Sequence, residues 1–120
     1  MSSQEEHEAR CLEVLGKPWS EVHEWLDHYF DEVPGASHRI VLHHRLGIAK
    51  GVEKFGEEAR PALELHLQDD FEFIPETPEE VAQIMRGQDL LSFYQMDLLG
   101  PILARLWPGV MIDLRGRGEI

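Results

Sequence analysis

At 120 residues, the chain is long enough to bury one hydrophobic core and too short for a separate cofactor-binding domain. Its formal net charge of −12, without a cluster of Lys and Arg, argues against binding to nucleic acid or to an anionic membrane surface. The single cysteine, Cys11, excludes an internal disulfide and a thiolate metal cluster within one chain. Because the acidic start around Glu5 and Glu6 does not resemble a signal peptide and no apolar stretch reaches spanning length, we expect a cytoplasmic protein.

Apolar periodicity predicts two helices before Pro34-Gly35. The first is short, ends at Gly16 and carries His7. The second has apolar residues at the spacing i, i+3, i+4, i+7 and i+8, namely Val22, Trp25, Leu26, Tyr29 and Phe30. His23 and Asp27 are four residues apart and therefore share one flank of this apolar face.

Residues 38–55 have an apolar period near 3.6 and predict a central helix of about five turns. Gly47 and Gly51 lie inside it, where each glycine costs roughly 1 kcal/mol relative to alanine. This cost indicates that another part of the chain approaches the helix backbone closely. We expect His43 and His44 to flank that contact.

A fourth helix is predicted to start near Glu58, because Pro61 is acceptable only in a first helical turn. His66 and Asp70 lie on its apolar arc. A carboxylate that faces the core is strongly destabilising unless a cation, a metal or hydrogen-bond donors compensate it. Asp70 is therefore the residue most in need of a partner.

The remaining chain predicts further helices. A threonine N-cap followed by proline and two glutamates marks a fifth helix over residues 77–87. Residues 89–99 and 102–107 are predicted as helices separated by Gly100-Pro101, and residues 110–114 as a short strand or an extended tail. The sequence thus predicts an all-α single domain over residues 1–120, with five or six helices and a short extended C-terminal segment.

Two predicted helices carry the same His-x-x-x-Asp spacing, and a third carries two adjacent histidines. Residues four apart on a helix share a face, so each pair presents an imidazole nitrogen and a carboxylate oxygen to a common point. Such a set of N and O ligands suits a divalent transition metal such as Zn, Fe, Mn, Ni or Co. The predicted ligands are His23, Asp27, His43, His44, His66 and Asp70.

A bound metal lowers the pKa of a coordinated water, so the pattern also predicts a metal-dependent hydrolase, with phosphoesters as the expected substrate class. Asp27 or Asp70, whichever does not bind the ion, is the candidate general base. Arg39, His38 and His7 are predicted to support the ligands from a second layer.

The same residues allow a non-enzymatic interpretation, in which a structural or partner-binding helical domain contains a buried polar network and no metal. Asp70 would then pair with Arg39 or Arg45, and the histidines would bond to backbone carbonyls or to each other. A non-catalytic metal-binding module is a third possibility.

Several short motifs occur in a fixed order, ending in His66-x-x-x-Asp70 and Ile74-Pro75. The earlier ones are His7 with Gly16, His23-Glu24-Trp25-Leu26-Asp27, His38-Arg39, His43-His44, Gly47-Ile48 and Phe55-Gly56. Over residues 5–85 the chain resembles a family of small histidine-rich helical proteins of bacteria and phages, whose activity is not established. The resemblance implies a shared signature of His23, Asp27, Arg39, His43, His44, His66 and Asp70.

Residues 5–85 therefore form the predicted His/Asp-bearing core, and residues 88–114 an apolar C-terminal extension. This extension is richer in Leu, Phe, Tyr, Met and Trp than the end of a small domain requires. We expect it to bury against a second copy of the chain in a homodimer.

Overall fold

The computed structural model describes residues 4–110 and 112–114. This part of the chain contains seven α-helices, joined by three short 3-10 turns, and no β-strand. The helices are α1 (Gln4–Leu15), α2 (Ser20–Asp27), α3 (Arg39–Leu42), α4 (Arg45–Phe55), α5 (Arg60–Phe71), α6 (Pro78–Gly87) and α7 (Phe93–Leu106). The predicted all-α class is confirmed, although the count exceeds five or six. The predictions for residues 1–3, 111 and 115–120 lie outside the described residues.

Helix α2 buries the predicted apolar face, except at its end. Val22, Leu26 and Tyr29 are buried, whereas Phe30 is 46% exposed. After Asp27 the chain continues as a 3-10 turn, His28–Asp31, which has about three residues per turn rather than 3.6. This tighter winding rotates Phe30 away from the core, so its prediction as a core residue is wrong.

The predicted central helix is interrupted at His43 and His44, which separate α3 from α4. The backbone of His44 is extended, with φ −159° and ψ 177°. The Arg45 N–H then donates to the carbonyl of Pro75 at 2.9 Å instead of continuing the helix. The prediction of one helix over residues 38–55 is therefore wrong. The apolar residues keep the same helical period on both sides of the break, so periodicity could not reveal it.

The two glycines of α4 mark close approaches, as predicted. A Cβ atom on Gly47 would lie 1.8 Å from the carbonyl oxygen of Leu42, at the end of α3. A Cβ atom on Gly51 would lie 2.7 Å from the side chain of Leu63 on α5 and 3.1 Å from that of Trp25 on α2. Gly47 thus permits the break between α3 and α4, and Gly51 permits α4 to pack against its neighbours.

The starts of the later helices follow their sequence signals. In α6, Thr77 accepts from the Glu80 N–H at 3.1 Å, and α5 carries its proline in the first turn. Helix α7 differs from the prediction, because it runs without a break through Pro101. The carbonyl that Pro101 leaves without an N–H donor belongs to Asp97, an exposed residue to which water can donate.

The C-terminal extension contributes to the core of its own chain. Leu99, Ile102 and Leu103 of α7 are buried, while Phe93 and Tyr94 at the start of the helix are largely exposed. Much of the apolar content that predicted a homodimer is therefore used within the chain. Among the described residues, no helix combines the length and apolar character needed to cross a membrane.

Candidate metal centre

Two acidic side chains and two histidines meet in the interior of the protein. Asp27 is the last residue of α2, and His66 and Asp70 are four residues apart on α5. His43 lies at the break between α3 and α4. The structure therefore brings together four of the six predicted ligands from three separate parts of the chain.

The four side chains are arranged so that each imidazole nitrogen lies close to both carboxylates. The His43 Nε2 atom is 3.3 Å from Asp27 Oδ1 and 3.3 Å from Asp70 Oδ2. The His66 Nε2 atom is 3.5 Å from Asp27 Oδ1 and 3.4 Å from Asp70 Oδ2. The two nitrogens and two oxygens thus surround one small space.

The four N···O distances match the spacing of ligand atoms around a shared metal ion better than they match the length of a hydrogen bond. An N–H···O hydrogen bond is about 2.7–3.2 Å long, and neither His43 Nε2 nor His66 Nε2 has a hydrogen-bond partner in the described structure. Tetrahedral metal bonds of about 2.0–2.1 Å place neighbouring ligand atoms about 3.3–3.4 Å apart. The buried His/Asp cluster can therefore hold a metal ion.

Asp70 uses its two oxygens differently. Its Oδ2 atom faces His43 and His66, whereas its Oδ1 atom lies 3.3 Å from Arg39 Nη2 and 3.3 Å from His7 Nε2. The side chain of Asp70 is only 2% exposed, so these contacts compensate a carboxylate that has left water. The alternative pairing of Asp70 with Arg39 is present, while Arg45 pairs with Glu76 instead.

His38, which was predicted to support the ligands from a second layer, lies against Asp27 of the same cluster. Its Nδ1–H donates to the carbonyl of Gly35 at 2.7 Å, and its Nε2 atom lies 3.1 Å from Asp27 Oδ1. A neutral imidazole has one proton, so Nε2 then presents a lone pair toward a carboxylate oxygen. This arrangement is repulsive unless a second proton or a cation lies between them. Metal-binding histidines commonly have their other nitrogen fixed in this way.

His23 was predicted as a ligand but lies on the far side of His66. Its Nδ1 atom is 2.8 Å from His66 Nδ1, the nitrogen that points away from the two carboxylates. His7 is also buried, and its ring stacks on that of His66 with centroids 3.7 Å apart. His7, predicted as a supporting residue, and His23, predicted as a ligand, thus both contact His66 on the side away from the two carboxylates.

His44 was also predicted as a ligand, but both of its ring nitrogens bond to the backbone. Its Nδ1 atom accepts from the Gly47 N–H at 3.1 Å and caps α4. Its Nε2–H donates toward the carbonyls of Val41 and Ile40, at 3.0 and 3.1 Å. His44 therefore has no lone pair left for a metal, and it fixes the helix break that places His43.

The titration behaviour of the cluster reflects its opposing charges. Burial alone would raise the pKa of Asp27 and of Asp70, but the adjacent imidazoles hold both values well below the usual range. Burial lowers the pKa of His43, whereas His66 has a raised pKa because Asp27 and Asp70 outweigh its burial. The raised pKa of His66 favours the protonated form of this imidazole in the metal-free protein, and a bound cation would replace that positive charge.

Of the side chains that form the cluster in the described structure, that of Asp27 is the most exposed. The side chain of Asp27 is 29% exposed, compared with 4% for His38 and none for His43 and His66. Phe30 packs edge-on against His38, with ring centroids 5.5 Å apart. A ligand from solvent would consequently approach the cluster beside Asp27.

Among the residues that the structure describes, three overlapping groups of side chains place possible ligand atoms within 4.8 Å of one another. Two of them, Asp27/His38/His43 and His43/His66/Asp70, together make up the cluster, and the third is His7/His23/His66. Comparisons of the chain with protein-family models, with curated proteins and with solved structures find no match. The geometry of these residues is therefore the basis for assigning a function.

Proposed function

We propose that this chain binds one divalent transition-metal ion through His43, His66, Asp27 and Asp70, with His38 as a fifth ligand. The observation that carries the proposal is the set of four N···O distances of 3.3–3.5 Å between atoms that converge on one space. The imidazole and carboxylate donors suit Zn, Fe, Mn or Ni. The negative charges of the Asp27 and Asp70 carboxylates also attract a cation to this position.

The proposed activity is metal-assisted hydrolysis. A divalent ion at this position lowers the pKa of a water molecule and polarises a substrate oxygen. All contacts of Asp27 that define the cluster use Oδ1, so Oδ2 on this partly exposed side chain is the candidate general base. Asp70, the other predicted base, is less suitable because both of its oxygens are engaged.

Phosphoesters are the proposed substrate class. The guanidinium of Arg39 lies 3.3 Å from Asp70 Oδ1, so its positive charge is separated from the proposed ion by one carboxylate. A metal ion and a guanidinium together are the groups that stabilise the developing charge on phosphoryl oxygens. The opening beside Asp27 gives such a substrate access to the ion.

Elemental analysis tests the metal site directly. The protein is purified without a nickel column, and the wild type is expected to retain close to one ion per chain. His66→Ala should lose it, because one Nε2 ligand is removed, whereas His28→Gln, at an exposed histidine, should keep it. A wild type that contains no metal, takes up none, and shows the same thermal stability with and without added metal would contradict the proposal.

Hydrolysis is tested separately with para-nitrophenyl phosphate and its diester analogue, using protein loaded with Zn or Mn. We expect turnover that depends on the ion and decreases strongly in Asp27→Asn. Metal-loaded protein without turnover on either ester would leave a metal-binding or sensing module and exclude the proposed activity on these substrates.

A metal-free polar network is the second candidate, favoured by the Arg39–Asp70 contact of 3.3 Å and by the raised pKa of His66. In that case, the proton on His66 and the charge of Arg39 would balance the two carboxylates. The protein would then serve as a structural or partner-binding helical domain. The elemental analysis above separates the two candidates.

We also propose membership of the histidine-rich helical family that the sequence resembles. Of the seven residues in the implied signature, six contact one another around Asp70 and His66, and the seventh, His44, caps α4 beside them. A functional signature consists of residues that are distant in sequence but lie in one site, as these residues do. Mutating these positions in another member and finding the same loss of metal would test the proposal.

A further inference from the structure

The third group of possible ligands, His7, His23 and His66, lies next to the proposed metal site. The arrangement of its rings differs from that of the proposed site. The rings stack almost parallel, with interplanar angles of 14–24° and centroids 3.7–5.6 Å apart. All three side chains are buried. Their nitrogens lie within 4.8 Å of one another, which by distance alone would allow a second metal.

The orientation of the rings argues against a second ion. An imidazole binds a metal through a lone pair that lies in the plane of its ring. The rings of His7 and His66 face each other with centroids 3.7 Å apart, so an ion about 2.0–2.1 Å from a nitrogen of each would lie far outside both ring planes. In addition, the His23 Nδ1 to His66 Nδ1 distance is 2.8 Å, a hydrogen-bond length that is shorter than the spacing of tetrahedral ligands.

We infer that the stack is not a second metal site and that His23 is a positioning residue, which orients His66 for the proposed ion. The inference rests on the proposed metal centre. A hydrogen bond between two imidazole nitrogens requires one proton between them. When His66 Nε2 binds an ion through its lone pair, the single proton of His66 is on Nδ1 and is donated to His23 Nδ1. By accepting this proton, His23 stabilises the tautomer of His66 that can bind the ion.

His7, on α1, also contacts the proposed ligands His66 and Asp70. Its ring covers the face of His66, and its Nε2 atom contacts Asp70 Oδ1 at 3.3 Å. Two ligands on α5 are therefore held by one residue of α1. Removing such supporting contacts around a metal site typically costs 10- to 100-fold in metal affinity.

The test compares two substitutions at His23. In His23→Asn the amide oxygen takes nearly the position of Nδ1 and can accept from His66, whereas His23→Leu cannot. We expect His23→Leu to weaken Zn binding about tenfold or more in chelator competition, and His23→Asn to stay within about threefold of the wild type. Because His23→Leu also removes the acceptor for His66 Nδ1–H, the thermal stability of both metal-free variants is measured, and Zn affinity is compared at a temperature at which both are folded.

Cadmium-113 NMR on the wild type provides a measurement that does not depend on any variant. With nitrogen-15 labelling, one bound ion should couple to ring nitrogens of His43 and His66 and to none of His7 or His23. Two bound cadmium ions, a coupling to His23, or unchanged Zn affinity in His23→Leu would overturn the inference while leaving the metal centre in place. A wild type that binds no metal would instead remove the proposed function and this inference together.

Discussion

The His38 Nε2 atom lies 3.1 Å from Asp27 Oδ1, although His38 precedes α3 and Asp27 ends α2. The chain between them contains the 3-10 turns His28–Asp31 and Ala36–His38, which bring the two side chains face to face. His43 Nε2 is 3.3 Å from the same oxygen. Asp27 thus connects His38 to the rest of the cluster.

His38→Ala is expected to weaken Zn binding by about tenfold, less than the loss caused by His66→Ala. The difference follows because His38 lies near only one of the two carboxylates, that of Asp27, whereas His66 lies near both. Visible spectra of the cobalt-substituted protein provide the readout, since loss of one ligand changes the coordination number and the band intensities. Identical affinity and spectra in His38→Ala would show that His38 is not a ligand.

Zn affinity is expected to depend on pH through one proton. His66 has a raised pKa in the metal-free protein and must lose its proton to bind an ion, whereas His43 has a lowered pKa and is already neutral. The apparent affinity should therefore rise about tenfold per pH unit below the pKa of His66 and become constant above it. Calorimetry in buffers of different ionisation enthalpy should detect release of about one proton, and release of two would show that a second imidazole, that of His38 or of His43, is also protonated before binding.

Much of the fold follows from local signals in the sequence. The threonine cap of α6, the proline in the first turn of α5 and the apolar face of α2 each depend on neighbouring residues, which a sequence displays directly. The break at His43 and His44 was not predictable in the same way. It depends on a histidine side chain as the N-cap and on the distant carbonyl of Pro75.

The candidate site was predictable only in part, for a related reason. The spacing His66-x-x-x-Asp70 places both side chains on one helix face, and the need of a core-facing carboxylate for partners identified Asp70. Whether His23 binds the ion or supports His66, however, depends on how α2 and α5 are rotated against each other. That rotation is fixed by packing, and the spacing of residues within one helix carries no information about it.

Gly47→Ala should be among the most destabilising substitutions in the chain. The added Cβ would lie 1.8 Å from the backbone oxygen of Leu42, so α3 and α4 must separate, at a cost of about 3 kcal/mol. The matched control is Gly87→Ala at the end of α6, where the added Cβ meets no atom within 4 Å. Urea unfolding of the metal-free proteins measures both, and equal stabilities of the two variants would contradict the close approach.

The homodimer predicted from residues 88–114 now has a specific candidate surface. Phe93 and Tyr94 are 70% and 68% exposed at the start of α7, and Leu90 precedes them at 39%. Light scattering of the wild type at micromolar concentration is expected to give the mass of two chains, and that of Tyr94→Asp the mass of one. Leu12→Asp, at an exposed leucine of α1, is the control that should remain dimeric. A monomeric wild type would refute the dimer.

His44 should make the metal-free protein sensitive to acid. Burial lowers the pKa of His44 from 6.5 to about 4, because its neutral ring is enclosed between α3 and α4. The unfolded chain then binds a proton between about pH 6.5 and 4 that the folded chain does not, so stability decreases as the pH falls through this range. The full shift corresponds to at most about 3 kcal/mol.

The appropriate variant is His44→Asn, whose side-chain oxygen replaces Nδ1 as the acceptor for the Gly47 N–H and has no group that titrates in this range. Its free energy of unfolding should decrease less than that of the wild type between pH 6.5 and 4, although His23, with a pKa also lowered to about 4, keeps part of the dependence. His44→Ala should flatten the profile as well, and it should lose about 1 kcal/mol at pH 7 because the cap is removed. Parallel curves for the wild type and His44→Asn would mean that His44 is already protonated in the folded protein, or that it titrates as it does in the unfolded chain.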